Sequence, residues 1–200
     1  MKSVRQFPRG RLVFFVTENI HKFNEARQVL AEHGVATARL RVETFEIQDD
    51  SIENVAKATI TEVTEKCSLP VIVEDSGLFV ERLNGFPGPY SSYVYRTIGT
   101  KGLLQLMKNV MNRDAYFHSV VAFSSSREIL KCFHGRTEGK ISFKTHGTHG
   151  FGFDPIFEHP ASSGKTFAEM TLMEKNKHSH RAKALGKFAR WYTAPLQRRF

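Results

Sequence analysis

The stretch LVFFVTENIHK, residues 12–22, decides the fold. Its five apolar residues, Leu12 to Val16, are too few for a helix and show no polar alternation, so they suit a strand buried on both faces. Thr17-Glu18-Asn19 make a polar turn, after which Phe23, Ala26 and Leu30 recur on one helical stripe. A strand running straight into a helix is the opening half of an α/β unit. The junction also leaves backbone N–H groups at the helix start aimed at one point, which favours an anion. Thr17 and Asn19 can add side-chain donors there and Lys22 a positive charge; the same residues can equally do no more than cap the helix. The glycines and the Lys-Ser/Thr pair of a Walker A loop are missing.

Outward from this unit the pattern repeats. Arg39 to Ile47 alternates like a strand, and Ile52 to Lys66 reads as an amphipathic helix with Val55, Ala56, Ala58, Thr59 and Val63 inward. Val71 to Val73 is a second buried strand, ending in Glu74-Asp75-Ser76-Gly77. A Gly/Pro-rich loop, Asn84 to Tyr90, precedes a helical stretch through Leu103 to Val110, then strands at Tyr116–Phe123 and Ile129–His134. Gly147 to Asp154 is a glycine-rich loop running into a strand at Pro155–Phe157. Thr171 and Glu174 fit a capping box, and Ser179 an N-cap for a last helix burying Ala182, Leu185, Ala189 and Tyr192. Together these elements predict an α/β fold with a mixed central sheet flanked by helices. We expect one domain over residues 1–200, with residues 1–10 a basic N-terminal extension.

Two hundred residues suit one packed core, and 40% apolar with 24% charged residues is an ordinary globular composition. No apolar run approaches the roughly 20 residues of a membrane span, so no membrane partner is expected. Leu12 to Val16 is too short for a signal-peptide core. Cys67 and Cys132 fit no metal spacing, as in a reduced cytoplasmic protein. A net charge of +9 favours polyanions without choosing among nucleic acid, acidic membrane surface and phosphorylated small molecules. No ribonucleoprotein motif, KH loop or zinc finger points to a stable nucleic-acid partner.

Three further segments can carry chemistry. Glu74 and Asp75 are adjacent carboxylates on an apolar strand; their side chains point to opposite sides, so one belongs in a site and the other elsewhere. Ligands in open α/β sheets gather beyond the carboxyl ends of strands, and hard carboxylate oxygens suit Mg²⁺, with Glu46 as a possible second ligand. Capping by Asp75 and a surface Glu46 is the plainer alternative. Gly150-Phe151-Gly152-Phe153-Asp154 can present a ring face to a flat base, or simply turn the chain into a strand. Glu174-Lys175-Asn176-Lys177-His178-Ser179-His180-Arg181 gathers cations around a helix start, as a polyphosphate clamp or as a solvated cap.

In order along the chain, TxNxxK (Thr17, Asn19, Lys22), VEDSG (73–77), NGFPGPYS (84–91), GFGFDPIF (150–157), TFAEM (166–170) and EKN with SHR (174–181) resemble the inosine triphosphate pyrophosphatase family, from about Leu12 to Trp191. The resemblance implies Mg²⁺-dependent hydrolysis of purine nucleoside triphosphates such as ITP, dITP and XTP to the monophosphate and pyrophosphate. It also implies a two-lobed fold with the active-site cleft between the lobes, and a cytoplasmic homodimer. By that likeness Thr17, Asn19, Lys22 and Lys175 hold the polyphosphate, and Glu46 and Asp75 engage Mg²⁺. Asp75 is also the catalytic candidate to orient or deprotonate the attacking water, with Ser76 beside it. Phe151, Gly152, Phe153 and Asp154 face base and sugar, and His180 and Arg181 read the base edge. Glu18 departs from the glycine many family members carry, and Lys57 matches a further substrate lysine only through the neighbouring Glu53-Asn54.

Overall fold

Leu12–Val16 forms strand β1 and turns at Thr17-Glu18-Asn19 into helix α1, Ile20–Glu32. The computed structural model describes residues 11–45, 47–125 and 130–194. Asn19 Oδ1 accepts from the N–H groups of His21 and Lys22 at 2.9 and 3.2 Å, and Thr17 Oγ1 accepts from the Asn19 N–H at 3.1 Å. Two N–H groups expected to await an anion are therefore satisfied within the chain, because an asparagine at the cap position reaches them first.

Strand β2, Ala36–Leu40, lies parallel to β1 from Leu12↔Ala36 to Val16↔Leu40. It starts earlier than the expected Arg39 and stops at Leu40, because its five-residue partner sets the ladder. Helix α2 spans Ile52–Lys66 as expected, with Ser51 as its cap. It buries Ile52, Val55, Ala56, Ile60 and Val63, whereas Ala58 and Thr59 are only half-buried. Ile60 completes the stripe begun by Ile52 and Ala56 at four-residue steps.

Strand β3 runs ten residues, Val71–Val80, well past the expected end at Val73. A long antiparallel partner, β5 (Asp114–Ser124), extends it, pairing from Val71↔Ser124 to Val80↔Ala115. Glu74-Asp75-Ser76-Gly77 is thus mid-strand. Between them come β4 (Pro87–Gly88) and two helices, α3 (Ser91–Thr97) and α4 (Gly99–Leu106), in place of the helix expected through Val110. Strand β6 spans Leu130–Ile141, and Ile129, its expected first residue, lies outside the described residues. Asp154–Ile156 is a 3-10 turn rather than the start of a strand, and β7 is Phe157–Glu158. Helices α5 (Leu172–Asn176) and α6 (His180–Thr193) carry the expected Thr171/Glu174 capping box and Ser179 cap; Tyr192 is half-buried while Ala182, Leu185 and Ala189 are buried.

The seven strands form one mixed sheet in the order β2-β1-β3-β5-β6-β7, with β4 also on β3. Alternate residues divide its faces. Val13, Phe15, Ile72, Val121 and Phe123 pack against α1 and α6, while Val16, Val71, Val73, Val120 and Ala122 pack against α2. A third cluster, including Leu78, Phe117, Phe157 and Phe167, fills the far end of the long strands. At the start of α6, a side-chain carbon on Gly135 of β6 would collide with the carbonyl of His180. Glycine there lets the helix start sit against the sheet.

One topological detail positions the site. On the edge of β3 away from β5, β1 pairs only with Val71 and Ile72, and β4 only with Leu78 and Phe79. Among the described residues, Val73–Gly77 therefore have no strand neighbour on that side. The result is a notch in the sheet at the carboxyl end of β1.

Candidate active site

The notch opens into a cavity of about 1270 Å³. Its lining comes from the β1–α1 turn (Thr17, Glu18, Asn19, His21, Lys22), from β3 (Asp75, Ser76, Gly77), from residues 150–154 and from the first residues of α6, His180 and Arg181. Tyr90, Tyr93 and Tyr95 complete the α3 side, and Asp49, Ile52 and Val55 the α2 side. Binding cavities for drug-sized ligands run to about 1000 Å³, so a nucleotide has ample room.

The two adjacent carboxylates part company as the strand alternation requires. Asp75 is half-buried and lines the cavity. Glu74 is buried beneath, where its Oε1 accepts from Ser119 Oγ at 2.6 Å and its Oε2 lies 3.0 Å from Lys22 Nζ and 3.1 Å from Arg181 Nε. Burial alone would raise its pKa, but the charges of Arg181 and Lys22 outweigh it and hold the carboxyl far below the usual range. Lys22 is fastened twice, since Nζ also donates to the Glu74 carbonyl at 3.0 Å.

A second layer lies on the other side of Arg181. Glu25, buried on α1, accepts from Arg181 through Oε2 and from Lys175 through Oε1 at 2.7 Å. Lys175 Nζ also donates to Asp154 Oδ2 at 2.6 Å, and the same oxygen accepts from the Phe151 N–H at 2.8 Å. Asp154 lies so close to Gly150 that a side-chain carbon there would strike its carboxylate, and Gly150 has a φ of 73°. Burial would raise the Glu25 pKa, yet Arg181 and Lys175 bring it below normal. Asp154 is raised by burial, which the single Lys175 charge does not overcome. Arg181 Nη2 donates to Ser76 Oγ at 2.9 Å and Nη1 to Glu25, so hydrogen bonds use two of the five guanidinium N–H groups, while Nε faces Glu74 as an ion pair. Three buried carboxylates thus face three cations, Lys22, Lys175 and Arg181.

The aromatic groups divide as well. Phe151 stacks on His21 with ring centroids 5.4 Å apart and lies over the Lys175 and Arg181 charges at 5.0 and 5.3 Å. Phe153 is buried and meets Tyr95 edge-on at 5.5 Å. His180 is buried, stacked on Phe117 at 4.5 Å, with no hydrogen-bond partner for Nδ1 among the described residues. Burial and the neighbouring Arg181 push its pKa well below that of an ordinary histidine, so it is a neutral imidazole.

Residues 13–191 match the model of the Ham1 family. The chain belongs to that family. A dITP/XTP pyrophosphatase of Methanopyrus kandleri is 47% identical over 180 residues, 90% of this chain and 95% of the relative. One of Pyrococcus horikoshii is 48% identical over 92% of this chain and 98% of its own length. Among solved structures, the Ham1 protein of Staphylococcus aureus superposes with a TM-score of 0.76 at 26% identity, covering 90% of this chain and 97% of its own. A HAM1 protein from Coxiella burnetii gives 0.77 at 27%, with coverage of 90% and 96%.

Within this Ham1 fold, Thr17, Asn19, Lys22, Asp75, Ser76, Phe151, Gly152, Phe153, Asp154, His180 and Arg181 line one cavity. Lys175 does not line it; its ammonium is enclosed by Glu25 and Asp154 under the Phe151 ring. Glu46 lies outside the described residues. Lys57 pairs with Glu53 on the exposed side of α2, away from the lining. Sequence reasoning missed Glu25, His21 and the tyrosines. Glu25 sits beside Ala26 on the buried stripe, one turn before Val29, and a carboxylate at that spacing is a signal.

Proposed function

We propose that this chain hydrolyses ITP, dITP and XTP to the monophosphate and pyrophosphate with Mg²⁺, acting as a cytoplasmic homodimer whose two groups of elements flank the cleft as lobes. The observation that carries this reading is the cavity at the β3 notch, where Asp75 shares one lining with the β1–α1 turn, the Phe151 ring and Arg181. Two relatives at nearly half identity, each named a dITP/XTP pyrophosphatase, support it.

The charge balance argues for a metal. Lys22, Lys175 and Arg181 each already answer a buried carboxylate, so these three cations alone offer little net positive charge to a triphosphate. Asp75 on the lining would supply hard oxygens of the kind Mg²⁺ prefers alongside phosphate oxygens and water, and the family resemblance adds Glu46, which lies outside the described residues, as the second ligand. When bound, the ion neutralises phosphate charge and polarises the anhydride. The chain's own residues do the rest. Asp75 accepts the proton of the attacking water as its oxygen bonds to the α-phosphorus, the α–β anhydride bond breaks, and pyrophosphate leaves. Lys22 and the Thr17-Asn19 turn hold the phosphates, and Phe151 offers its face to the purine.

Base choice follows from donors held in place. Inosine and xanthosine carry a carbonyl acceptor at C6 where adenosine carries an amino donor. The Arg181 guanidinium is satisfied by the first, and faced with the second leaves buried donors unpaired, a discrimination worth several powers of ten. Pyrophosphate release from ITP, XTP, dITP and ATP, with and without Mg²⁺, is the test. Metal-dependent release from the first three, abolished in a folded Asp75→Asn variant, is expected; release from none of them overturns the reading. Sedimentation equilibrium should give twice the 22.8 kDa chain mass, and a monomer would remove the dimer from the proposal.

A further inference from the structure

Lys22 and Arg181 come from different helices and serve opposite ends of the proposed nucleotide, yet they meet on one oxygen atom. Glu74 Oε2 is 3.0 Å from Lys22 Nζ and 3.1 Å from Arg181 Nε. Its partner oxygen is pinned by Ser119 Oγ at 2.6 Å, and the carboxylate has no exposed side-chain surface. Ser119 is itself fully buried on β5, the strand directly paired with β3. The group is therefore a fixed charge held by the sheet, with a cation on either side. Lys22 keeps 19% of its side chain exposed at the cavity, whereas Arg181 keeps 2%.

Resting on the pyrophosphatase reading, we propose that Glu74 is a positioning residue that couples the phosphate end of the site to its base end. With no substrate, Glu74 divides its charge between Lys22 and Arg181. A triphosphate competes for Lys22, which swings from the carboxylate towards the phosphates. The carboxylate then holds Arg181 alone and more tightly, so its donors are fixed at the base edge only when phosphates are in place. Phosphate recognition thereby sharpens base recognition, and the shared oxygen carries the coupling. Glu74 touches no substrate in this scheme; it acts through its two neighbours.

Glu74→Gln tests this, because it keeps the shape and removes the charge. Freed from a competing carboxylate but still anchored to the Glu74 carbonyl, Lys22 should bind inorganic triphosphate more strongly. In metal-free calorimetric titration the expected gain is about fivefold, the size of one charge-assisted hydrogen bond partly released. Arg181 loses one of its two carboxylate partners, so the ratio of kcat/KM for ITP over ATP should fall roughly tenfold. A residue with a merely structural role would weaken both ligands together. Triphosphate affinity that is unchanged or lower in the folded variant, with the ITP/ATP ratio intact, overturns the proposal. Should Glu74→Gln lose its cooperative melt, Ser119→Ala replaces it. That variant keeps the charge and unpins Oε1, so the ratio should fall with triphosphate affinity unchanged, and a wild-type ratio counts against the coupling. Wild-type protein that releases no pyrophosphate from ITP refutes the activity itself, an outcome separate from the binding measurement.

Discussion

The six charges under the cavity form a set in which each member's state depends on its neighbours. Glu25 joins α1 to both Lys175 and Arg181, so its removal takes one of two carboxylate partners from each of two buried cations. Glu25→Gln should cost about 3–5 kcal/mol in denaturant unfolding, the usual loss when one partner of a buried pair is deleted. The pH dependence has a definite sign. Glu25 and Glu74 titrate lower in the folded chain than the 4.5 of a free glutamate. Near and below that pH the unfolded chain binds more protons, so the stabilisation is complete above about 4.5 and is lost as pH falls further. Asp154, raised by burial, works in the opposite direction: its contribution is present at low pH and is lost as pH rises through its folded pKa. Melting temperatures from pH 3 to 6 should therefore climb less steeply in Glu25→Gln than in wild type; equal slopes would rule out Glu25 as a source. Strand alternation showed that Glu74 and Asp75 must face apart, but only the family resemblance, not the local pattern, put Asp75 in the site. That choice is made by Lys22 and Arg181, contributed from α1 and α6 at distances along the chain that no local pattern spans.

At the scale of elements, the first unit was legible almost to the residue, as were α2 and the caps of α5 and α6. Continuous apolar runs and Ser, Thr or Asn caps are local signals, and nothing in the tertiary structure contradicts them. What failed was strand length. The ends of β2, β3, β5 and β6 are set by partners: β2 stops where β1 stops, and β3 continues through two carboxylates because β5 runs beside it. The start of α6 depends on a contact of the same non-local kind, the close approach to Gly135. Gly135→Ala should push the helix start outward, destabilising the fold by about 1–3 kcal/mol as overpacking does. Since His180 and Arg181 are its first two residues, KM for ITP should rise more than tenfold while the far end of the helix, at Trp191, keeps its fluorescence. An unaltered KM would mean that α6 tolerates the extra carbon without moving.

Across the whole molecule, long strands tie the parts together. β5 contributes Val121 and Phe123 to the cluster under α1 and α6, Val120 and Ala122 to the one under α2, and Ala115 and Phe117 to the third. The mixed sheet flanked by helices was expected from the interleaving of elements, and the family was legible in six ordered motifs. The notch was not, because it is an absence of pairing, created where β1 is too short and β4 arrives too late. An open stretch of sheet edge also invites another chain to add a strand there, and natural sheets commonly deter this with lysine. Lys22 stands at this gap with its ammonium on the Glu74 carbonyl, the very acceptor an intruding strand would use. In that position the proposed phosphate-binding lysine is expected to deter edge-to-edge association as well. Lys22→Ala should form larger assemblies at high concentration by light scattering while its melt stays cooperative, and a variant no more prone to associate than wild type would remove that role. A mutation made to silence the site would then bring a solubility defect with it.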